Sequence, residues 1–216
     1  MNNSLQHTHR PLQSAWAVIV SWVFHPLFIP LYATAFLLYI HPSFFSGFSA
    51  LAKKQVMLIT LLNGVFFPLL TVALLKGLGF ISSIYMRTSR DRIIPYIACN
   101  IFFFWTYTIF HKQENYPEIL SSFWLGIFLA SSAALLLNIY MKVSMHTIGA
   151  GGLLGLFLYL SFQQDMLMTW PFSAVLLTCG LVGTARLFLK SHNEAEIYVG
   201  FITGILSQLI AAYIIL

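Results

Sequence analysis

Arg186, His192 and Glu196 carry the strongest chemical signal in this chain: an arginine, a histidine six residues on, and a carboxylate four residues after that. On a helix, positions 192 and 196 lie one turn apart on one face. A carboxylate there holds an imidazole in one tautomer, as a nucleophilic or acid/base histidine requires. The planar donor fork of an arginine suits the oxygens of a phosphoryl group. Apolar membrane sequence has little reason to carry these three groups together unless they act.

Two further clusters add to them. Lys142, Ser144 and His146 alternate ahead of the glycine-rich stretch GAGGLLG. A helix starting there would present backbone N–H groups to an anion. Arg87, Arg90, Asp91 and Arg92 crowd together just before an apolar run. The sequence has no paired carboxylates of the kind that hold Mg²⁺ and no cysteine or histidine cluster at zinc spacing. Two histidines among many cations, with no metal and no cofactor, point to phosphoryl transfer through a phosphohistidine. One imidazole attacks phosphorus, the other protonates the leaving oxygen, and the cations stabilise the equatorial charge.

The elements that must position these groups are membrane helices. The 216 residues are 59% hydrophobic and 8% charged, whereas soluble domains run near a quarter charged. Apolar runs of about 20 residues suit helices that cross a bilayer. Alternating short strands of the outer-membrane barrel type are absent. The expected fold is an all-α polytopic bundle of six to seven spans. Residues 1–13 form a polar tail, and 14–216 form one transmembrane domain. The runs fall at about 14–40, 55–75, 93–110, 119–141, 147–163, 166–187 and 196–216.

Pro26 and Pro30 predict a kink or break in the first run. Beside them, His25 reads more readily as a histidine bonded to a freed carbonyl than as part of a site. His41 and His111 read as interfacial. The pairs Gly151/Gly155 and Gly200/Gly204 read as close helix packing. Cys99 and Cys179 read as small packing residues. Net charge is +5, but the eleven basic residues are few and several fall inside the clusters above instead of a solvated patch, so nucleic-acid binding is a poor reading.

With seven spans, the loops after runs two, four and six share one side of the membrane. Those loops hold the three clusters at 87–92, 142–146 and 186–196, so the clusters can meet at one face.

At these residues the chain resembles the type 2 phosphatidic acid phosphatase family of membrane lipid phosphatases. That family carries K-x6-RP, then PSGH, then SR-x5-H-x3-D. Here the third motif reads Ala185-Arg186, five residues, His192, three residues, Glu196, with alanine for serine and glutamate for aspartate. The second reads Val143-Ser144-Met145-His146, with serine and histidine kept. The first is divergent: two residues separate Arg92 from Pro95, and Arg87 or Arg90 stands in for the lysine. The resemblance covers roughly 80–204.

It implies that His192 is the nucleophile, Glu196 its orienting partner and His146 the general acid. Arg186, Ser144 and Arg92 would bind phosphate. Lys142 lies outside the matched positions and reads equally as a phosphate ligand or a snorkelling lysine. The expected substrate is a lipid phosphate or diphosphate in the surrounding membrane. A phosphotransferase using the same intermediate, and a non-catalytic transporter or binder of anionic lipids, are the competing readings. Setting the clusters aside, Arg10 and Lys76 fall on one side and Lys53, Lys54 and Lys112 on the other. That bias puts the site on the external face, of a bacterial cytoplasmic membrane.

Overall fold

The computed structural model describes residues 11–84, 88–163 and 165–216. It is all helical: α1 Pro11–Val23, α2 Ile29–Tyr39, α3 Ala50–Gly77, α4 Ser89–Lys112, α5 Glu118–Leu137, α6 Met145–Gln163, α7 Thr169–Phe188 and α8 Glu194–Ile215. Among the described residues, α3 to α8 are each long and apolar enough to cross a bilayer. Their outward faces carry large apolar side chains such as Ile101, Trp105, Leu177 and Ile202. Such a surface is stable in lipid and not in water. The chain is an integral membrane protein.

The first apolar run breaks where its prolines fall. α1 stops at Val23, and Pro30 then takes an early position of α2, where its missing N–H is not needed. At the break the ladder tightens, because His25 N donates to Trp22 O (3.3 Å) rather than to Ser21 O. The Ser21 carbonyl is thereby released from α1. In α3 a π turn at Leu62–Phe66 precedes Pro68, accommodating a residue that cannot donate to the ladder.

The extended contact of α6 with α8 lies at the centre of the bundle. It is built on the two glycine pairs. A methyl group on Gly151 or Gly155 would strike the backbone of Phe201 or Ile205, and one on Gly204 would strike the backbone of Ile148 and Gly152. Close backbone approach is therefore what these glycines provide. α8 also packs on α5, α5 on α4, α7 on α6 and α1 on α7. Phe36, Leu37, Trp124, Leu156 and Leu160 fill the main core.

Several boundaries differ from expectation. α1 begins inside the expected polar tail. α4 begins at Ser89, so Arg90, Asp91 and Arg92 occupy its first turn instead of preceding it. Thr88 makes this start possible: its Oγ1 accepts from Asp91 N at 3.2 Å as an N-cap. The buried Asp91 carboxylate accepts from Ser82 N (2.9 Å), Ser82 Oγ (2.7 Å) and Thr88 Oγ1 (3.0 Å), which ties the preceding loop to α4. The glycines after His146 lie in the second and later turns of α6. They serve α8 and Pro26 and do not form an anion-binding helix terminus.

Candidate active site

Four hydrogen bonds gather the polar loops at one end of the bundle. Asn138 Nδ2 donates to Ser89 O (2.8 Å), and Arg92 Nη1 to Val143 O (3.2 Å). His192 Nδ1 donates to Lys142 O (3.0 Å), and Ser144 N to Glu196 O (3.3 Å). At the other end, Ser43 Oγ donates to Asp165 Oδ2 (3.0 Å), and the Phe48 and Tyr116 rings stack at 6.4 Å. The three clusters thus occupy the same end, as the span arithmetic requires.

The start of α8 builds the His192 environment. Asn193 is the N-cap and Glu196 the third helical residue of a capping box. Glu196 N donates to Asn193 Oδ1 (2.9 Å), and Asn193 N to Glu196 Oε2 (3.3 Å). The same Oε2 lies 2.8 Å from His192 Nδ1. Both neighbours of that nitrogen, a carboxylate and a carbonyl, can only accept. Nδ1 therefore carries the proton and Nε2 keeps its lone pair. The His192 side chain is 4% exposed and that of Glu196 16%. Burial holds the His192 imidazole below its ordinary value; Glu196 opposes the shift, and the Arg186 and Arg92 charges add to it. A neutral, oriented imidazole is the form a nucleophile needs.

The second histidine is held by α1. His146, in the first turn of α6, donates through Nε2 to Ser21 O (3.1 Å), the carbonyl released by the helix break. Ser21 Oγ donates to Ala17 O (2.8 Å) and accepts from Arg186 Nη1 (3.3 Å). One serine thus links His146 to Arg186.

Ser144 Oγ and Arg186 Nε are buried without hydrogen-bond partners, while the Tyr96 hydroxyl faces the Arg92 side chain. Buried donors are normally paired, and two left open at this end of the bundle leave capacity for an acceptor such as a phosphate oxygen. A cavity of about 420 Å³ opens at His192, lined by Lys142, Leu187, Lys190, Ser191, Asn193 and Glu196. Ser144, His146 and Arg186 do not line it.

The expected residues divide as follows. Arg92, Ser144, His146, Arg186, His192, Glu196 and the Lys142 backbone belong to one connected cluster. Arg90 is exposed and takes no part in the hydrogen bonds that join these loops, among the described residues. Arg87 lies outside the described residues. Ala185, at the position of the family's serine, is fully buried.

Sequence reasoning did not assign Ser21, His25, Tyr96 or Lys190 to the site, having read His25 as the histidine bonded to a freed carbonyl, a place that His146 takes. Pro26 marked the break that brings the first two into the cluster. Tyr96 follows Arg92 by one helical turn. Nothing local marks Lys190, whose left-handed backbone (φ 51°) places it at the cavity. Among the described residues no group of three or more histidine, cysteine or acidic side chains could hold a metal ion. No family model, no curated protein and no solved structure matches this chain.

Proposed function

We propose that the protein is a membrane lipid phosphatase that works through phospho-His192, in the manner of the type 2 phosphatidic acid phosphatases its motifs resemble. The observation that carries this reading is the pinned His192 ring. Its Nδ1 faces Glu196 and the Lys142 carbonyl, leaving Nε2 as the free nucleophile. In this reading Nε2 attacks phosphorus, and the bond to the leaving lipid oxygen breaks. His146 gives that oxygen a proton. Water then attacks the phosphohistidine, His146 takes the water's proton, and inorganic phosphate leaves. Arg186, Arg92 and Ser144 bind the equatorial oxygens. Lys142 and Lys190 at the cavity mouth draw in the anionic head group.

The test is phosphate release by detergent-purified protein from a panel of lipid monophosphates and diphosphates, with EDTA present. Wild type should release phosphate and His192→Ala should not. Equal activity in the two proteins overturns the mechanism. Binding of the lipids without release points to a carrier of anionic lipids. Release only when an alcohol acceptor is added points to a phosphotransferase.

A further inference from the structure

His25 stands beside His146. The two ring centroids are 5.2 Å apart and the planes meet at 82°. Neither ring is free to turn away. His25 Nδ1 accepts from Leu27 N (3.3 Å), so the neutral ring carries its proton on Nε2. His146 is fixed through its own Nε2 to Ser21 O. Pro26 lies against Gly149 of α6, where an added methyl would come within 3.3 Å of the Pro26 Cα and Cβ. The break in the first helix is thus wedged into the start of α6, and it delivers His25 to His146.

The surroundings of the pair are cationic. From α7, the Arg186 charge acts on His25, and its Nη1 binds Ser21 Oγ, on the residue whose carbonyl holds His146; His192, neutral, stands in the loop before α8. Two imidazoles at this separation, half-buried and facing a guanidinium, cannot both be charged at ordinary pH. The resemblance to the phosphatases assigns one histidine, His146, to acid/base work and says nothing of a second imidazole from the first helix.

We propose that His25 and His146 form a dyad that takes up at most one proton beyond the ring protons of its two neutral imidazoles, with His25 as the positioning residue that decides when His146 carries it. The dyad itself follows from the geometry; its place in catalysis rests on the function proposed above. Every proton of the reaction still passes through His146. His25 acts by competing for the same charge, so His146 stays neutral beside Arg186 until a phosphate dianion enters and offsets the local positive charge. The leaving oxygen then meets a proton that was not held there at rest.

The decisive variant is His25→Asn, whose Oδ1 can still accept from Leu27 N but which cannot titrate. His25→Gln is the second variant, read in the same way if the first folds poorly. Two readouts are made on the full chain in detergent. The first is the ¹⁵N titration of the His146 ring, which needs no turnover. The second is the pH profile of kcat/KM for lipid phosphate.

With the competitor removed, the His146 ring should take its proton about one pH unit higher than in wild type, and the matching limb of the rate profile should move with it. A titration of His146 unchanged in both variants overturns the dyad, whatever the activity. A shifted titration in a protein that hydrolyses no lipid phosphate upholds the dyad and removes the phosphatase reading instead. A uniform loss of rate with no movement along the pH axis marks His25 as merely structural and also overturns the proposal.

Discussion

Gly200 of α8 faces Thr147 of α6 with no room for a side chain between them: a methyl there would collide with Thr147 Oγ1 and sit 3.0 Å from Ser144 O. The contact lies one turn beyond Glu196 and directly after His146, so helix packing and site geometry share the same atoms. Gly200→Val should cost about 1–3 kcal/mol of stability by overpacking and abolish turnover. Gly152→Ala is the control, since its new methyl would meet its nearest neighbour only at 3.9 Å. Thermal unfolding in detergent, paired with phosphate release, checks both. A functional, fully stable Gly200→Val protein would contradict the packing.

Ser144→Ala should separate fold from function. The hydroxyl is fully buried and unpartnered, so removing it eliminates an unpaired polar group and should leave stability unchanged or slightly raised. If the hydroxyl binds a phosphate oxygen, kcat/KM falls by roughly 10–10² fold, the value of one hydrogen bond to a charged group. Unfolding temperature and kcat/KM measured on the same sample decide the matter; unchanged kcat/KM removes Ser144 from the phosphate site.

Glu196→Gln should lower kcat by on the order of 10²–10⁴ fold, the range of a lost acid/base arrangement. Asn193→Ala should act differently. It removes the cap at a cost of about 1 kcal/mol while leaving the His192–Glu196 contact in place. Its rate loss should be recovered on cooling if the cap merely holds the turn. The ratio of the two effects at two temperatures is the measurement.

The depressed His192 fixes a pH dependence. Its ordinary value is 6.5, and burial with the arginines moves the folded-state value lower. A neutral His192 imidazole therefore persists as pH drops below 6.5, and on the proposed mechanism kcat/KM should hold where a free imidazole would already be protonated. For stability the sign is the same. The folded state resists that proton more than the unfolded chain does, so the contribution is present above 6.5 and is lost as pH falls through the depressed value. Arg186→Gln removes one cause of the depression and should move the acid limb toward higher pH. A limb that stays in place rules out Arg186 as a charge acting on His192.

Much of this was legible from residue order. Run lengths alone give the bundle, and their parity sends 87–92, 142–146 and 186–196 to one end. The spacing of His192 and Glu196 predicts the contact seen at 2.8 Å. Less was legible where a residue acts through backbone. The freed carbonyl at the first-helix break belongs to Ser21, and its acceptor site is filled by His146, 125 residues away, instead of by the nearby His25. Sequence marks the proline, not the partner that the tertiary fold brings to the gap. The start of α4 was likewise obscured, because Arg90, Asp91 and Arg92 look like loop until Thr88 is recognised as their cap.

Glu196 orients His192 and also closes the capping box of α8, so one carboxylate serves both local folding and chemistry. The nucleophile proposed above, His192, is therefore oriented only while the first turn of α8 is wound. Fraying of a single turn, far too small to register as unfolding, would silence it. A variant library sorted by activity would then return a band of sensitive positions along 193–200, most of which never touch substrate. Sorting the same library by expression level would leave that band blank, and the difference between the two maps would mark the turn as a fail-safe.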